Sequence, residues 1–252
     1  MSGAVSIEQI VVPVPTDIFV GHEEATFHVG ISAVRDTVLR PEQYEAIGIL
    51  RARVYIDECH YLTNDSRLGN GGETDADDVR SVHFCVLENR GPDRQPLAIG
   101  TIRLIIKDGG TELLPVETHF REAFSDAPAL INSAEISRYI ARNESRSVQH
   151  AAMLGLMRAL FVYSSENGHR PMYAIVDRPL ARLLAMMHIP YQPLSDPKLL
   201  DAYHSTNIPV VFDPERVIEN ALMTFFRDPR ENSGLGYFDQ TLRISLRGGD
   251  EQ

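Results

Sequence analysis

Residues 73–84, ETDADDVRSVHF, place an acidic run directly before a predicted strand. Glu73, Asp75 and Asp78 follow one another as Glu-x-Asp-x-x-Asp, and the pattern of VRSVHF is typical of a β-strand. A carboxylate that becomes buried at the start of a strand needs an opposite charge. Arginine suits that role, because its guanidinium group holds a carboxylate through two hydrogen bonds, which lysine cannot do. A solvated acidic loop is the alternative interpretation.

Three other segments contain residues that suit such pairing or could do chemistry. The segments are RARVYIDECHY, GTIRL and SAEISRYIA, and they contribute Arg51, Tyr55, Tyr61, Arg103, Glu135 and Arg138. In SAEISRYIA, strand alternation predicts that Glu135 lies on one face and that Ile136 and Arg138 lie on the other. A network of these charges that only stabilises the fold is the alternative to a substrate site.

In order and approximate spacing, these segments resemble the LuxI-type acyl-homoserine lactone synthases and the related FeeM-type long-chain N-acyl amino acid synthases. The resemblance covers residues 47–142. It implies that the acidic run contacts Arg51, Arg103 and Arg138 beside an acceptor pocket. Tyr55 replaces the Phe of the lactone synthase pattern, Tyr61 replaces its Trp, and the chain contains no Trp.

The predicted elements run in the order helix, several strands, long helix, strand, helix, strand, helix. This order predicts an α/β (α+β) fold with a central mixed β-sheet flanked by helices. The sequence of strand, polar loop, long helix and strand resembles the GNAT-like acyl-CoA N-acyltransferase fold. We expect SAEISRYIA and MYAIVD to be neighbouring strands that splay apart, and the long helix to span residues 148–167. The predicted organisation is an N-terminal arm at 1–40, an acyltransferase domain at 41–228 and a polar tail at 229–252.

The segment RNESRSVQH after SAEISRYIA is the expected donor site. In GNAT enzymes this region holds the donor's pyrophosphate or pantetheine through backbone N–H groups at a helix start. The usual glycines are absent, so we expect Arg142 and Arg146 to supply charge that suits acidic acyl carrier protein. Solvated arginines are the alternative. The acyl tail is expected to be lined by Ile136, Leu156, Leu160 and Ile175.

Composition argues against several classes of protein. The formal net charge of −11 opposes nucleic-acid binding, which needs a basic surface. No apolar run reaches the roughly 20 residues of a transmembrane segment, and the N-terminus lacks the basic start of a secretory signal. Cys59 and Cys85 stand alone without metal-ligand spacing, which suits a cytoplasmic protein with no metal and no bound cofactor.

The resemblance implies an N-acyltransferase that moves a fatty acyl group from acyl carrier protein or acyl-CoA to the amine of an amino acid or similar small acceptor. Glu135 would act as general base, through a water molecule, and Arg51 and Arg138 would shape the charged site. An acceptor carboxylate would bind Arg51 or Arg103. The alternatives are an acyl-homoserine lactone synthase that uses S-adenosylmethionine, an ordinary GNAT acetyltransferase and a non-catalytic GNAT-like module.

Overall fold

The computed structural model describes residues 28–33, 41–88, 95, 97–107, 109, 112–125 and 132–227. Its α-helices are α1 (Pro41–Ala52), α2 (Pro115–His119), α3 (Arg146–Glu166), α4 (Arg178–Met186) and α5 (Pro214–Arg227). Its strands are β1 (His28–Ala33), β2 (Ser81–Glu88), β3 (Leu97–Ile106), β4 (Ala134–Ala141), β5 (Met172–Asp177), β6 (Gln192–Pro193), β7 (Lys198–Leu200) and β8 (Ser205–Phe212). Among the described residues, none of the helices has the length and apolar character that crossing a bilayer requires.

The described strands form one mixed sheet in the order β1-β2-β3-β4-β5-β8-β6, with β7 also paired to β8. All pairs are antiparallel except β4 and β5, which run parallel. The predicted central mixed sheet is therefore confirmed. The sequence does not predict β1, which falls within the predicted N-terminal arm and pairs along its length with β2. The predicted polar tail lies outside the described residues.

Helix α3 covers one face of the sheet through the apolar stripe seen in its sequence. Ala152, Leu156 and Leu160 on this stripe are buried in the main core. Gly100 in β3 allows the close approach, because a Cβ atom there would lie 2.9 Å from Leu156 Cδ1. The helix spans Arg146–Glu166, within two residues of the predicted bounds, so its apolar period predicted both its extent and its buried side.

Helices α1 and α2 cover the opposite face. Successive residues of β2 show the two sides, because Phe84 joins the core under α3 whereas Cys85 packs with Ile47 and Leu50 of α1. Farther along the sheet, α2 packs Val116 in a third core cluster. The sheet is thus buried on both faces, and α1 and α2 define the side on which the charged residues gather.

The parallel strands β4 and β5 stay together over only a short stretch. Their pairing joins Ala134–Ile136 to Met172–Ala174. Beyond it β4 continues to Ala141 along β3, and β5 continues to Asp177 along β8. The prediction that these strands are neighbours and splay apart is confirmed, and the gap between them opens a cavity.

Candidate active site

Three arginines and three carboxylates form one charged cluster on the α1 side of the sheet. Its members are Arg51, Arg103, Arg138, Glu73, Asp75 and Asp78. Arg51 of α1 donates to Glu73 Oε2 and, over 2.9 Å, to Asp78 Oδ1. The buried Arg51 guanidinium therefore bridges two of the three acids.

Two strands supply the other arginines of the charged cluster. Arg103 of β3 donates from Nη1 to Asp75 over 2.5 Å and to Asp78 over 2.6 Å. Arg138 of β4 donates from Nη2 to Glu73 over 3.0 Å and to Asp75 over 2.8 Å. The predicted contacts between the arginines and the acidic run are therefore confirmed, whereas the role of these residues toward a substrate stays a prediction.

The spacing of the acidic run has a local cause. Asp75 caps a 3₁₀ turn at Ala76–Arg80: its side chain accepts from the Asp77 N–H over 3.0 Å, and Asp78 accepts from the Asp75 N–H over 3.1 Å. This reciprocal pair is a capping box, which satisfies backbone donors at the start of the turn. The same two carboxylates then face Arg103, so one turn organises both the backbone and the charges.

Burial and charge pairing act against each other in the cluster. Arg51 and Arg103 are each only 1 % exposed, and Asp78 is 4 % exposed. Burial alone would raise the pKa of the Asp78 carboxyl, but Arg51 and Arg103 hold that pKa well below its ordinary value. Asp78 is therefore ionised at neutral pH, between two arginines that are themselves buried.

Arg138 reaches the cluster through an irregularity in β4. Its φ of 54° lies in the left-handed region, which a non-glycine residue adopts only where the surroundings hold it there. The register of β4 against β3 also shifts at this point. Strict alternation, which predicts Arg138 on the face of Ile136, is therefore wrong at this residue. The bulge turns Arg138 toward α1, and Tyr139 instead donates to Met153 O of α3 over 3.2 Å.

A cavity of about 410 Å³ fills the opening between β4 and β5. Its size lies within the range that accommodates small-molecule ligands. The polar residues of its wall are Tyr55, Tyr61, Glu135, Arg138, Asp177 and Asn207. The apolar residues of its wall include Ile136, Met153, Met157, Phe161, Ile175 and Leu184. The cavity therefore offers a ligand both polar and apolar contacts.

Glu135 is the buried carboxyl of this cavity. It is 2 % exposed and accepts a hydrogen bond from the Val116 N–H over 2.8 Å. Burial raises the pKa of Glu135 to about 8, although the Val116 N–H and Arg103 both oppose the shift. A carboxyl that titrates close to neutral pH suits a general base, because it combines an adequate ionised fraction with a strong pull on a proton.

Tyr55 and Tyr61 form an aromatic wall of the cavity. A π-helical turn, Arg53–Glu58, follows α1 and places Tyr55 four residues beyond Arg51. The guanidinium carbon of Arg138 lies 5.3 Å from the Tyr55 ring centroid, and the two tyrosine rings are 6.3 Å apart. Burial and the nearby Asp177 carboxylate raise the pKa of the Tyr61 phenol. The predicted aromatic pair thus meets the cavity rather than the interior of the cluster.

The structure separates the predicted acceptor residues into two groups. Tyr55, Tyr61 and Arg138 line the cavity, whereas Arg51 and Arg103 lie behind it in the cluster, and so do the three acids. No contact in the structure supports the expectation that Arg51 or Arg103 binds an acceptor carboxylate, and that role stays a prediction. Both guanidinium groups are buried and already donate to carboxylates.

The residues predicted to line the acyl tail of the donor also fall into two groups. Ile136 and Ile175 line the cavity, but Leu156 and Leu160 do not, and both are fully buried under the sheet. One residue along an α-helix is a rotation of about 100°, so the row next to Leu156 and Leu160 faces the cavity instead. That row consists of Met153, Met157 and Phe161.

The two arginines predicted for the donor lie at different places. Arg142 lines the cavity, and its Nε lies 3.4 Å from Glu58 Oε2, with 46 % of the side chain exposed. Arg146 is the exposed first residue of α3 and does not line the cavity. Their role toward a donor remains a prediction.

Several cavity residues were not found from the sequence. Asp177 ends β5, and Tyr203, Ser205 and Asn207 belong to the turn and strand after β7. No motif marks them; the only available signal was that Asp177 follows a strand and precedes Arg-Pro, a helix-start pattern. Among the described residues, no group of His, Cys, Asp and Glu has the arrangement of a metal site.

No family model matches the chain, and no curated protein matches its sequence. Solved structures do match. The acyl-homoserine lactone synthase LasI is 16 % identical, with a TM-score of 0.59 over 75 % of this chain and 91 % of LasI. The CoA-dependent acyl-homoserine lactone synthase BjaI, solved with SAM and isopentyl-CoA, is 18 % identical, with a TM-score of 0.60 over 83 % of this chain and 97 % of BjaI.

The N-acyl amino acid synthase FeeM from uncultured soil microbes matches as well. It is 12 % identical, with a TM-score of 0.56 over 80 % of this chain and 99 % of FeeM. The chain has their GNAT-like fold. The fold predicted from the order of elements is therefore confirmed, and the reaction has to be argued from the cavity itself.

Proposed function

We propose that this protein is an N-acyltransferase that moves a fatty acyl group from acyl carrier protein or acyl-CoA to the amine of an amino acid or a similar small acceptor. The observation that carries the proposal is the cavity between β4 and β5. It is lined both by polar residues, which include the buried Glu135, and by apolar residues of α3 and α4. A reaction between a polar amine and a long acyl thioester needs both environments side by side.

The chemistry requires no covalent acyl-enzyme, because a thioester is already activated. The amine nitrogen attacks the thioester carbonyl carbon, its proton passes to ionised Glu135 through a water molecule, and the thiolate leaves as the amide forms. Orientation of the two reactants and stabilisation of the oxyanion are the other contributions the site must make. Pairing between β4 and β5 stops after Ile136, so backbone N–H groups of the splayed strands are candidates for the oxyanion.

The apolar wall supports a fatty acyl group rather than an acetyl group. Met153 and Met157 line it together with Phe161 and Leu184. Methionine adapts its shape to a flexible chain, and each buried CH₂ group contributes about 0.8 kcal/mol of binding. A two-carbon donor would leave most of this wall uncovered.

A second candidate is an acyl-homoserine lactone synthase that uses S-adenosylmethionine. The aromatic wall of Tyr55 and Tyr61 favours it, because aromatic faces attract a sulfonium or ammonium cation. BjaI was solved with SAM. Tyr61 offers a smaller face than the Trp of the lactone synthase pattern, and for that reason we favour the smaller amine.

Thiol release from acyl thioesters tests the proposal. Purified protein is incubated with acyl-carrier-protein and CoA donors, from acetyl to long-chain, with and without an amino acid mixture. We expect amine-dependent thiol release that is fastest with long-chain donors. Rates that fall steadily with chain length would instead identify an ordinary acetyltransferase. A copurified acyl ligand without turnover would identify a binding module.

A further inference from the structure

Asp177 is the second carboxylate that lines the cavity, and the reaction proposed above does not use it. It ends β5 on the polar part of the wall, where it lies near the phenol of Tyr61. Tyr61 is in turn tilted against Tyr55. A carboxylate and two aromatic rings that line one cavity are the two kinds of group that recognise an organic cation.

The charges of the cavity are compensated unequally. Arg138 gives its charge to Glu73 and Asp75 in the cluster, and Arg142 lies against Glu58. Within the described part of the chain, Asp177 forms no ion pair. The wall of the cavity therefore includes one carboxylate, Asp177, without a cationic partner.

Asp177 also has a structural role that must be separated from ligand binding. Its Oδ1 accepts from the Leu180 N–H over 2.8 Å and so caps the N-terminus of α4. Asparagine caps helices about as well as aspartate. Asp177→Asn thus removes the charge while keeping the cap, which makes the two roles experimentally distinct.

We propose that Asp177 binds the acceptor amine in its ammonium form, with Tyr55 and Tyr61 enclosing the cation. This inference rests on the proposed acyltransferase function and narrows the acceptor to a primary amine that enters the cavity with a positive charge. The bound ammonium gives one proton to ionised Glu135 through water, and the neutral amine then attacks the thioester carbonyl carbon. The carbon–sulfur bond breaks as the amide forms, and the second proton lost by the nitrogen leaves on the departing sulfur as the thiol. Asp177 is therefore a specificity-determining residue, because it selects cationic acceptors without itself making or breaking a bond.

The test compares Asp177→Asn with a matched control, Asp213→Asn. Asp213 precedes α5, accepts from the Glu215 N–H over 3.1 Å and does not line the cavity. Butylamine serves as the cationic acceptor and hydroxylamine as a neutral nucleophile, each with a long-chain acyl donor. In Asp177→Asn we expect the KM for butylamine to rise about 10- to 100-fold, as for loss of a charge-assisted hydrogen bond. The KM values for hydroxylamine and for the donor, and the melting temperature, should stay within about twofold and 2 °C of wild type.

The possible results distinguish a failure of the Asp177 inference from a failure of the proposed acyltransferase function. An unchanged KM for butylamine in Asp177→Asn, or an equal rise in Asp213→Asn, would overturn the role of Asp177 while leaving acyl transfer intact. If the wild-type protein forms no amide, the proposed function fails, and ligand-observed NMR of butylamine then decides the inference alone. Binding that is lost in Asp177→Asn but kept in Asp213→Asn supports it, and binding that is equal in all three proteins contradicts it.

Discussion

The charged cluster and the cavity meet at Arg138, but charged side chains have ion-pair partners in the cluster and lack them in parts of the cavity wall. In the cluster, three arginines and three carboxylates lie within hydrogen-bonding distance of one another, and its Arg51–Glu73 pair is almost completely buried. In the cavity, Glu135 and Asp177 have no ion-pair partner among the described residues, and both line the wall. The paired charges stabilise the fold, whereas the two carboxyl groups without an ion-pair partner are available to a substrate.

This difference changes the interpretation of the acidic run and of the other residues that carry the family resemblance. Most of the residues that carry the resemblance, including Glu73 and Asp78, are enclosed in the cluster. They position Arg138 and Tyr55 at the polar wall without themselves lining it. The alternative of a structural network therefore fits these two acids better than direct binding of an acceptor.

Replacement of Arg51 should have the largest effect on stability. Arg51→Ala leaves Glu73 and Asp78 partly uncompensated in a buried environment, which typically costs about 3–5 kcal/mol. We expect a large fall in the free energy of unfolding, measured by urea denaturation, and a smaller fall for Arg138→Ala, whose side chain is 13 % exposed. Arg142→Ala, at an exposed weak pair, is the control and should change stability by less than about 1 kcal/mol. Equal, small effects for all three variants would mean that the cluster is solvated.

Replacement of Glu135 should have the largest effect on catalysis. Glu135→Gln keeps the shape and the contact with the Val116 N–H but cannot accept a proton, so we expect kcat to fall about 10²–10⁴-fold. Because the folded pKa is about 8, wild-type activity should rise with pH up to about 8 and then level off. A variant that kept wild-type activity, or a wild type that lost activity as the pH rose, would exclude Glu135 as the base.

Glu135→Gln should also change how the free energy of unfolding depends on pH. The pKa of Glu135 is raised from the ordinary 4.5 to about 8, so the folded protein binds an extra proton between these values. Its contribution to the free energy of unfolding is present below pH 4.5 and is lost as the pH rises toward 8. Glu135→Gln should remove this decline, which denaturant titrations across that pH interval would detect.

Narrowing the apolar wall should have an intermediate effect. Met153→Trp places a larger side chain in the cavity, and we expect the preference for long-chain over short-chain donors to fall by about fourfold for each CH₂ group excluded. Met186→Trp is the matched control, because Met186 is 77 % exposed and does not line the cavity. A series of donor chain lengths provides the measurement. Equal chain-length profiles for both variants would move the acyl site elsewhere.

Removal of the exposed arginines should have the smallest effect. Arg142→Ala with Arg146→Ala should reduce kcat/KM several-fold with acyl carrier protein donors, because surface charges steer an acidic partner at low ionic strength. The loss should shrink as salt is added. Arg216→Ala, another exposed arginine that does not line the cavity, is the control. A loss that is independent of salt would argue against electrostatic docking.

The parts of the molecule predicted from sequence are those with a local or periodic cause. The stripe of α3 and the strand patterns of β2 and β3 indicated their elements, and the resemblance indicated Arg51, Arg103 and Arg138 as partners for the acidic run. The bulge at Arg138 could not be predicted, because nothing local to that residue favours a φ of 54°. It is maintained by ion pairs with residues more than 60 positions earlier in the chain.

The cavity wall was harder to predict for a related reason. Asp177, Tyr203 and Asn207 meet β4 only because β5 and β8 pair beside it. The choice between Leu160 and Phe161 as a lining residue depends on the angle of α3 above the sheet, and a rotation of one residue reverses it. Tertiary packing, rather than local pattern, therefore decides which side chains a substrate meets.

A competition assay tests the central claim most directly. Wild-type protein and Glu135→Gln are each given a long-chain acyl donor together with a mixture of amino acids and S-adenosylmethionine, and the products are identified by mass. We predict that N-acyl amino acids dominate with the wild type and fall about 10²-fold or more in the variant. Acyl-homoserine lactone as the main product would replace the acceptor we propose, and the absence of any amide would contradict acyl transfer to an amine altogether.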